Sequence, residues 1–271
     1  MIALEDGFAD VVGKAQRGLR LSDTELAEKA RVSSQKIRKL REGEFDELAL
    51  LRVAGVLNLA ARALCELAAG EWRPEKIEMD GLAQFSSRFH DMAVNSYLLW
   101  NPGNREAVAF DTGAEADSLL HRAAKENLTI KAILLTHAHA DHVADLEKLR
   151  AQTKAPIYVS SHEPVPEAEL IEEGNKFVIG SLKIETRLTW GHSRGGMTYV
   201  VHGLARPVAV VGDSLFAGSM GGGSVSYEDA LRNNLEKILT LPDETVICPG
   251  HGPMTTVGEE KIHNPFFAGQ I

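Results

Sequence analysis

Cysteine is scarce: Cys65 and Cys248 are the only two in 271 residues, far apart and without a CxxC spacing. That excludes a disulfide framework and a thiolate zinc cluster, and leaves both as small buried side chains. Long apolar runs are also missing. No stretch reaches the roughly 18 apolar residues that a membrane-spanning helix needs, so no membrane association is read. The opening MIALEDGFADVVGK lacks a basic stretch followed by an apolar block, so it does not read as a secretory signal and a cytoplasmic location is expected. An excess of positive charge is absent as well, the net charge being -9. Residues 1–73 carry 12 basic and 12 acidic side chains, so the whole imbalance falls on residues 74–271, and a nucleic-acid-binding role for the entire molecule is excluded.

What remains is an ordinary globular composition, with enough apolar material for one large domain or two smaller ones. The periodicity divides the chain near Pro74 into residues 1–73 and 74–271. From Leu21 to Ala69 apolar residues recur at helical spacing, which predicts a small all-α bundle. Ser22 with Glu25 forms a capping box for a first helix, and Ser33 or Ser34 can cap a second, SQKIRKLREG, that stops at Gly43. Two further helices are expected over Leu48–Leu57 and Ala60–Leu67, closing at Gly70 and Pro74. Beyond Pro74, β-rich runs (YLLW, AVAF, AILL, PVAVV, TVICPG) alternate with amphipathic stretches such as DSLLHRAAKEN, ADLEKLRAQ and YEDALRNNLEKILTL. Strands interleaved with helices predict an α/β layered domain.

The stretch AILLTHAHADHVADL places an apolar run directly before His137, His139, Asp141 and His142. At a strand end, residues two apart point the same way, so His137 and His139 can address one ion while Asp141 and His142 address another. Imidazole and carboxylate without thiolate suit zinc, iron or manganese. Two such ions about 3.5–4 Å apart suit hydrolysis of a carbonyl or phosphoryl centre. Single histidines such as His90, His121, His162 and His202 are read instead as surface or hydrogen-bonded residues.

The motif T-H-A-H-A-D-H resembles the signature of the metallo-β-lactamase superfamily, and later motifs follow in the expected order. WGHSRGG supplies His192, VVGDSLFAGS supplies Asp213, CPGHGPMTT supplies His251, and GEEKIHNPFF resembles the end of the glyoxalase-II-like branch. The resemblance spans roughly residues 85–271. It implies a four-layer αββα sandwich preceded by the small helical bundle. It also implies two divalent metal ions, zinc first, with His137, His139 and His192 on one, Asp141, His142 and His251 on the other, and Asp213 bridging. Asp111, in AFDTG, resembles a structural aspartate beside the cleft rather than a ligand. The implied activity is hydrolysis of a thioester or related ester by a metal-bound hydroxide, with Asp141 as the catalytic residue orienting it and activity falling in acid. The segment GSMGGGSVSYEDALRNN departs from many glyoxalase-II-like proteins in having no arginine before Arg232, which leaves the leaving group open. Its glycines, 221–223, suit either a lid or a tight turn.

LSDTELAEKARVSSQKIRKLREGE resembles a phage-repressor-type helix-turn-helix, in which the second helix enters the major groove. Through residues 22–44, Gln35, Lys36, Arg38, Lys39 and Arg41 are then candidates for base or phosphate contacts, although the neutral charge balance also suits dimer formation (a homodimer) or a cover over the substrate. Two alternatives stand beside a hydrolase acting on a small molecule. One is a mononuclear iron persulfide dioxygenase, similar at THAHADH; the other is a DNA-binding regulator whose metallo-domain senses a metabolite.

Overall fold

The computed structural model describes residues 2–270. Two six-stranded sheets form its centre. The first contains β1 (Leu82–Phe89), β2 (Met92–Trp100), β3 (Glu106–Phe110), β4 (Thr129–Leu134), β5 (Ile157–Ser160) and β6 (Glu169–Ile171), in chain order across the sheet. The second contains β7 (Lys176–Ile179), β8 (Leu182–Leu188), β9 (Met197–His202), β10 (Val208–Gly212), β11 (Val246–Pro249) and β12 (Thr255–Thr256), again in sequential spatial order. The β3–β4, β4–β5, β5–β6 and β10–β11 pairs are parallel and the rest antiparallel.

Alternation along the central strands explains the layering. In β10, Val208 and Val210 face the other sheet, while Ala209 and Val211 face outward into a second apolar cluster. In β4, Ala132 and Leu134 face inward, and Ile133 packs outward. Both faces are therefore buried, which is why these strands read as continuous apolar runs rather than alternating ones. The inner layer includes Phe110 and Tyr199, whose ring centroids lie 5.4 Å apart.

Helices cover both outer faces. Leu119 and Ala123 of α6 (Asp117–Lys125) and Leu146 and Leu149 of α7 (Leu146–Thr153) pack on the first sheet. The second sheet is covered from both termini of the chain. Ahead of the sheets, in chain order, come α1 (Phe8–Gly18), α2 (Asp23–Ala30), α3 (Ser34–Arg41), α4 (Glu47–Val56) and α5 (Ala61–Ala69). Leu26, Leu50 and Leu64 of this bundle share one buried cluster with Val211, Ile247 and Phe266. Full burial of each such side chain stabilises the fold by about 1.5–3 kcal/mol. Trp72 also stacks on His263, with ring centroids 4.9 Å apart. Residues 2–73 therefore pack as part of an outer layer and share their core with the rest of the chain.

The expected caps are present: Ser22 and Glu25 bond reciprocally, and Ser33 rather than Ser34 caps α3. Helix α1 is an addition to the bundle expected from sequence. Phe8, Val11, Val12, Ala15 and Leu19 have helical spacing and all pack into the cluster, so the signal was present although glycines at both ends obscure it. The helix expected over YEDALRNNLEKILTL is divided: α8 (Tyr227–Asn233) passes into a π-helical turn, Asn234–Ile238, before α9 (Val257–His263) much later. The Asn234 side chain donates to the carbonyl of Ala230, one turn back, and so competes with the regular helical ladder.

Candidate metal centre

Four loops at one end of the two sheets bring the histidines and aspartates together. The first follows β4, which ends at Leu134, so His137 and His139 lie beyond the strand and not on one face of it. Their rings nonetheless come within 4.5 Å, centroid to centroid, because the loop is pinned from both sides. Asp111, at the end of β3, accepts 2.7 Å hydrogen bonds from the backbone N–H and hydroxyl of Thr136. On the other side Glu163 accepts from the Ala138 N–H at 3.1 Å and from the Arg194 N–H at 2.7 Å. One carboxylate thus ties the His139 loop to the His192 loop. No spacing in the sequence marks Glu163, because its partners are backbone groups.

Second contacts orient the rings. His142 Nδ1 donates to Asp111 Oδ2 at 2.8 Å, His251 Nδ1 to the Ala93 carbonyl at 2.7 Å, and His192 Nδ1 to the Gly222 carbonyl at 3.1 Å. Each contact turns the opposite nitrogen inward, as ligand histidines require. His139 instead offers Nδ1, 3.1 Å from His192 Nε2.

The seven side chains fall into three overlapping sets whose donor atoms lie within 4.8 Å of one another: His137 with His139 and His192; His137 with His142 and Asp213; Asp141 with His142 and His251. Asp213 stands between the outer two sets. Its Oδ1 lies 3.3 Å from His142 Nε2, and its Oδ2 lies 3.4 Å from both His192 Nε2 and His251 Nε2. All seven residues singled out from sequence are thus brought together. His137 Nε2, His142 Nε2 and Asp213 Oδ1 are buried without a hydrogen-bond partner among the described residues. Buried polar atoms in that condition are costly unless something coordinates them, so the donor set fits two cations.

The electrostatics agree. Burial opposes charge on His142, but Asp213 and Asp111 overcome it and push its pKa up to about 10. Burial likewise opposes charge on His251, and Asp141 with Asp213 raises it to about 11. His137, buried among other imidazoles, is held well below the ordinary histidine value. Asp213 resists the effect of burial through His142 and His251 and stays well below the usual carboxylate range. In the absence of metal the site therefore holds protons where cations would bind.

Three glycines are needed for clearance. A Cβ on Gly250 would meet the Asp213 carboxylate and lie 2.6 Å from His142 Cε1. A Cβ on Gly221 would strike the Asp213 carbonyl oxygen, and one on Gly223 would strike the Tyr227 backbone. Gly221 and Gly223 are thus closely packed beside the site, while a Cβ on Gly222 would meet nothing within 4 Å.

Residues 91–251, more than half of the chain, match the metallo-beta-lactamase superfamily, and the chain belongs to it. A probable metallo-hydrolase, YqgX of Bacillus subtilis, is 33% identical over 202 residues, spanning 65% of this chain and 93% of that protein. Hydroxyacylglutathione hydrolase GloC of Haemophilus influenzae is 29% identical over 197 residues, covering 64% of this chain and 92% of its own. The crystal structure of ETHE1 from Myxococcus xanthus superposes with a TM-score of 0.60 at 27% identity, over 69% of this chain and 85% of that one. The bundle α1–α5 lies outside the matched segment.

On α3 the side chains singled out for DNA contact are largely engaged within the protein. Lys36 pairs with Asp46 at 2.7 Å, Lys39 with Glu44 at 2.5 Å and Arg41 with Asp23 at 3.3 Å. Gln35 and Arg38 are exposed.

Proposed function

We propose that this chain is a metal-dependent hydrolase that cleaves a thioester or related ester. His137, His139 and His192 would hold one divalent ion, Asp141, His142 and His251 a second, and Asp213 would reach both. Zinc suits this donor set, and iron or manganese share its preferences. One observation carries the reading: the Asp213 carboxylate lies within 3.4 Å of an imidazole nitrogen from each outer set. When bound, a pair of divalent ions activates water and stabilises the oxyanion that develops as an acyl carbonyl is attacked.

The chain's own groups do the rest. Asp141 Oδ2 lies 3.3 Å from His251 Nε2, and its carboxyl is held below the ordinary value, so it stays ionised and can orient an attacking water by accepting a hydrogen bond. The Glu163 tether and the Asp111 hydrogen bonds hold the ligand loops in place before substrate arrives, which lowers the cost of assembling the site. The similarity to GloC supports a thioester as substrate class.

Elemental analysis of protein purified without added metal, combined with a thioester, lactone and phosphodiester panel, tests the proposal. Two ions per chain and thioester turnover are expected. If metal-loaded His139→Ala hydrolyses thioesters as fast as the parent, the assigned site is wrong. A single iron per chain, with oxygen consumed on adding glutathione persulfide, would replace this reading with the dioxygenase one.

A further inference from the structure

We infer that α1, which lies outside the superfamily match, supplies an anion-binding wall of the substrate cleft, with Arg17 and Arg20 receiving a phosphate or carboxylate group that the substrate carries away from the bond cleaved. Calling the anion part of a substrate rests on the hydrolase reading; the anion site itself does not.

A cavity of about 890 Å³ lies between the end of α1 and the loop running from Gly222 to Glu228. The same loop touches the metal centre. The Gly222 carbonyl accepts from His192 Nδ1 at 3.1 Å, and the Ser224 hydroxyl donates to the His192 carbonyl at 3.0 Å. Gly222 thus lines the cavity and contacts a candidate ligand at once, and a Cβ there would meet nothing within 4 Å.

Helix α1 is held against this loop. Lys14 donates to the Met220 carbonyl at 2.8 Å and pairs with the buried Asp6 carboxylate, while Gly18 lies directly on the Tyr227 ring. That packing holds the backbone of Arg17, and of Arg20 just past the helix end, beside the loop that contacts His192. Among the described residues neither arginine has an ion pair or a side-chain hydrogen-bond partner, although both are exposed and line the cavity. Lys14 is neutralised by Asp6, and Glu228 is the single acid in the lining, so the two guanidinium groups outweigh it. Guanidinium forks match phosphate and carboxylate oxygens in pairs, and unpaired ones bordering a cleft favour anions there.

The test compares three acetyl thioesters on the metal-loaded full chain: pantetheine, which is uncharged, 4′-phosphopantetheine and glutathione. Arg17→Ala/Arg20→Ala alters only exposed side chains. It should raise KM about tenfold for an anionic ester, leave kcat unchanged, and move KM for acetyl-pantetheine less than about twofold, as loss of charge-assisted bonds requires. A response confined to the phosphopantetheine ester identifies phosphate; one confined to the glutathione ester identifies carboxylate. Glu228→Gln should shift KM for the same ester downward. Calorimetric titration with inorganic phosphate gives a readout independent of turnover, with binding about tenfold weaker in the double variant. Phosphate binding that needs the arginines, in a protein that cleaves no thioester, keeps the anion site and removes the hydrolase reading. Thioester turnover with KM and phosphate affinity both indifferent to the arginines overturns the anion site.

Discussion

Asp111 Oδ2 accepts from His142 Nδ1 at 2.8 Å, and the same carboxylate also holds the Thr136 hydroxyl and N–H. A residue that touches no candidate cation therefore sets the direction of one ligand and the start of the loop carrying two others. Asp111→Asn keeps the shape but loses the charge that fixes the His142 tautomer. Metal affinity should fall by about 10- to 100-fold, the usual effect of losing such a contact. Competition with a chromophoric chelator measures it, and parent-like affinity would show that His142 needs no such support.

Metal uptake should release protons. His142 and His251, raised to about 10 and about 11 in the metal-free fold, are charged at neutral pH, and each must give up a proton to become a ligand. Affinity should therefore rise with pH from neutral toward 10. Calorimetry in buffers of different ionisation enthalpy counts the protons; zero release at pH 7 contradicts the assignment. The same shifts mean that metal-free stability from these ion pairs is fully present below the ordinary histidine value of 6.5 and declines as pH rises from there to about 10 to 11.

Gly250→Ala should cost the site while sparing the sheets. Its Cβ would press on Asp213 and on His142, and neither can move without leaving the cluster. Less than a full complement of metal and loss of most turnover are expected, with far-ultraviolet circular dichroism unchanged. Full metal content in the variant would show that the site yields more easily than its packing indicates.

Glu260 provides a pH test at a buried group that contacts none of the candidate ligands. Burial raises its pKa to about 8, against hydrogen bonds from Asn264, Thr255 and Gly218 that favour the ionised form. An unfolded glutamate titrates near 4.5, so the folded chain holds an extra proton between those values and stability declines as pH rises across that window. Glu260→Gln should flatten that part of the Tm profile. An unaltered slope would assign the pH dependence to another group.

Much of the site was legible because ligand chemistry is carried by residue type. Histidine and aspartate at THAHADH, directly after a strand's apolar run, have few other uses, and the three later motifs each add one donor. The alignment of His137 and His139 has a different basis from the one their spacing suggests: they sit past the strand end, held by Thr136 against Asp111 and by Ala138 against Glu163. Backbone partners of this kind leave no periodic trace. Helix α1 shows the converse case, since its apolar spacing was readable while glycines at its ends concealed it.

The sequence by itself determined which donors exist, in what order, and which stretches become strand or helix, because local periodicity records which faces are buried. Only the tertiary structure decided that Asp213 stands between two sets of imidazoles, that Glu163 joins two ligand loops, and that α1 packs against the loop contacting His192. Those are distances between residues remote in the chain, and they are fixed by the packing of two sheets and the helices that cover them.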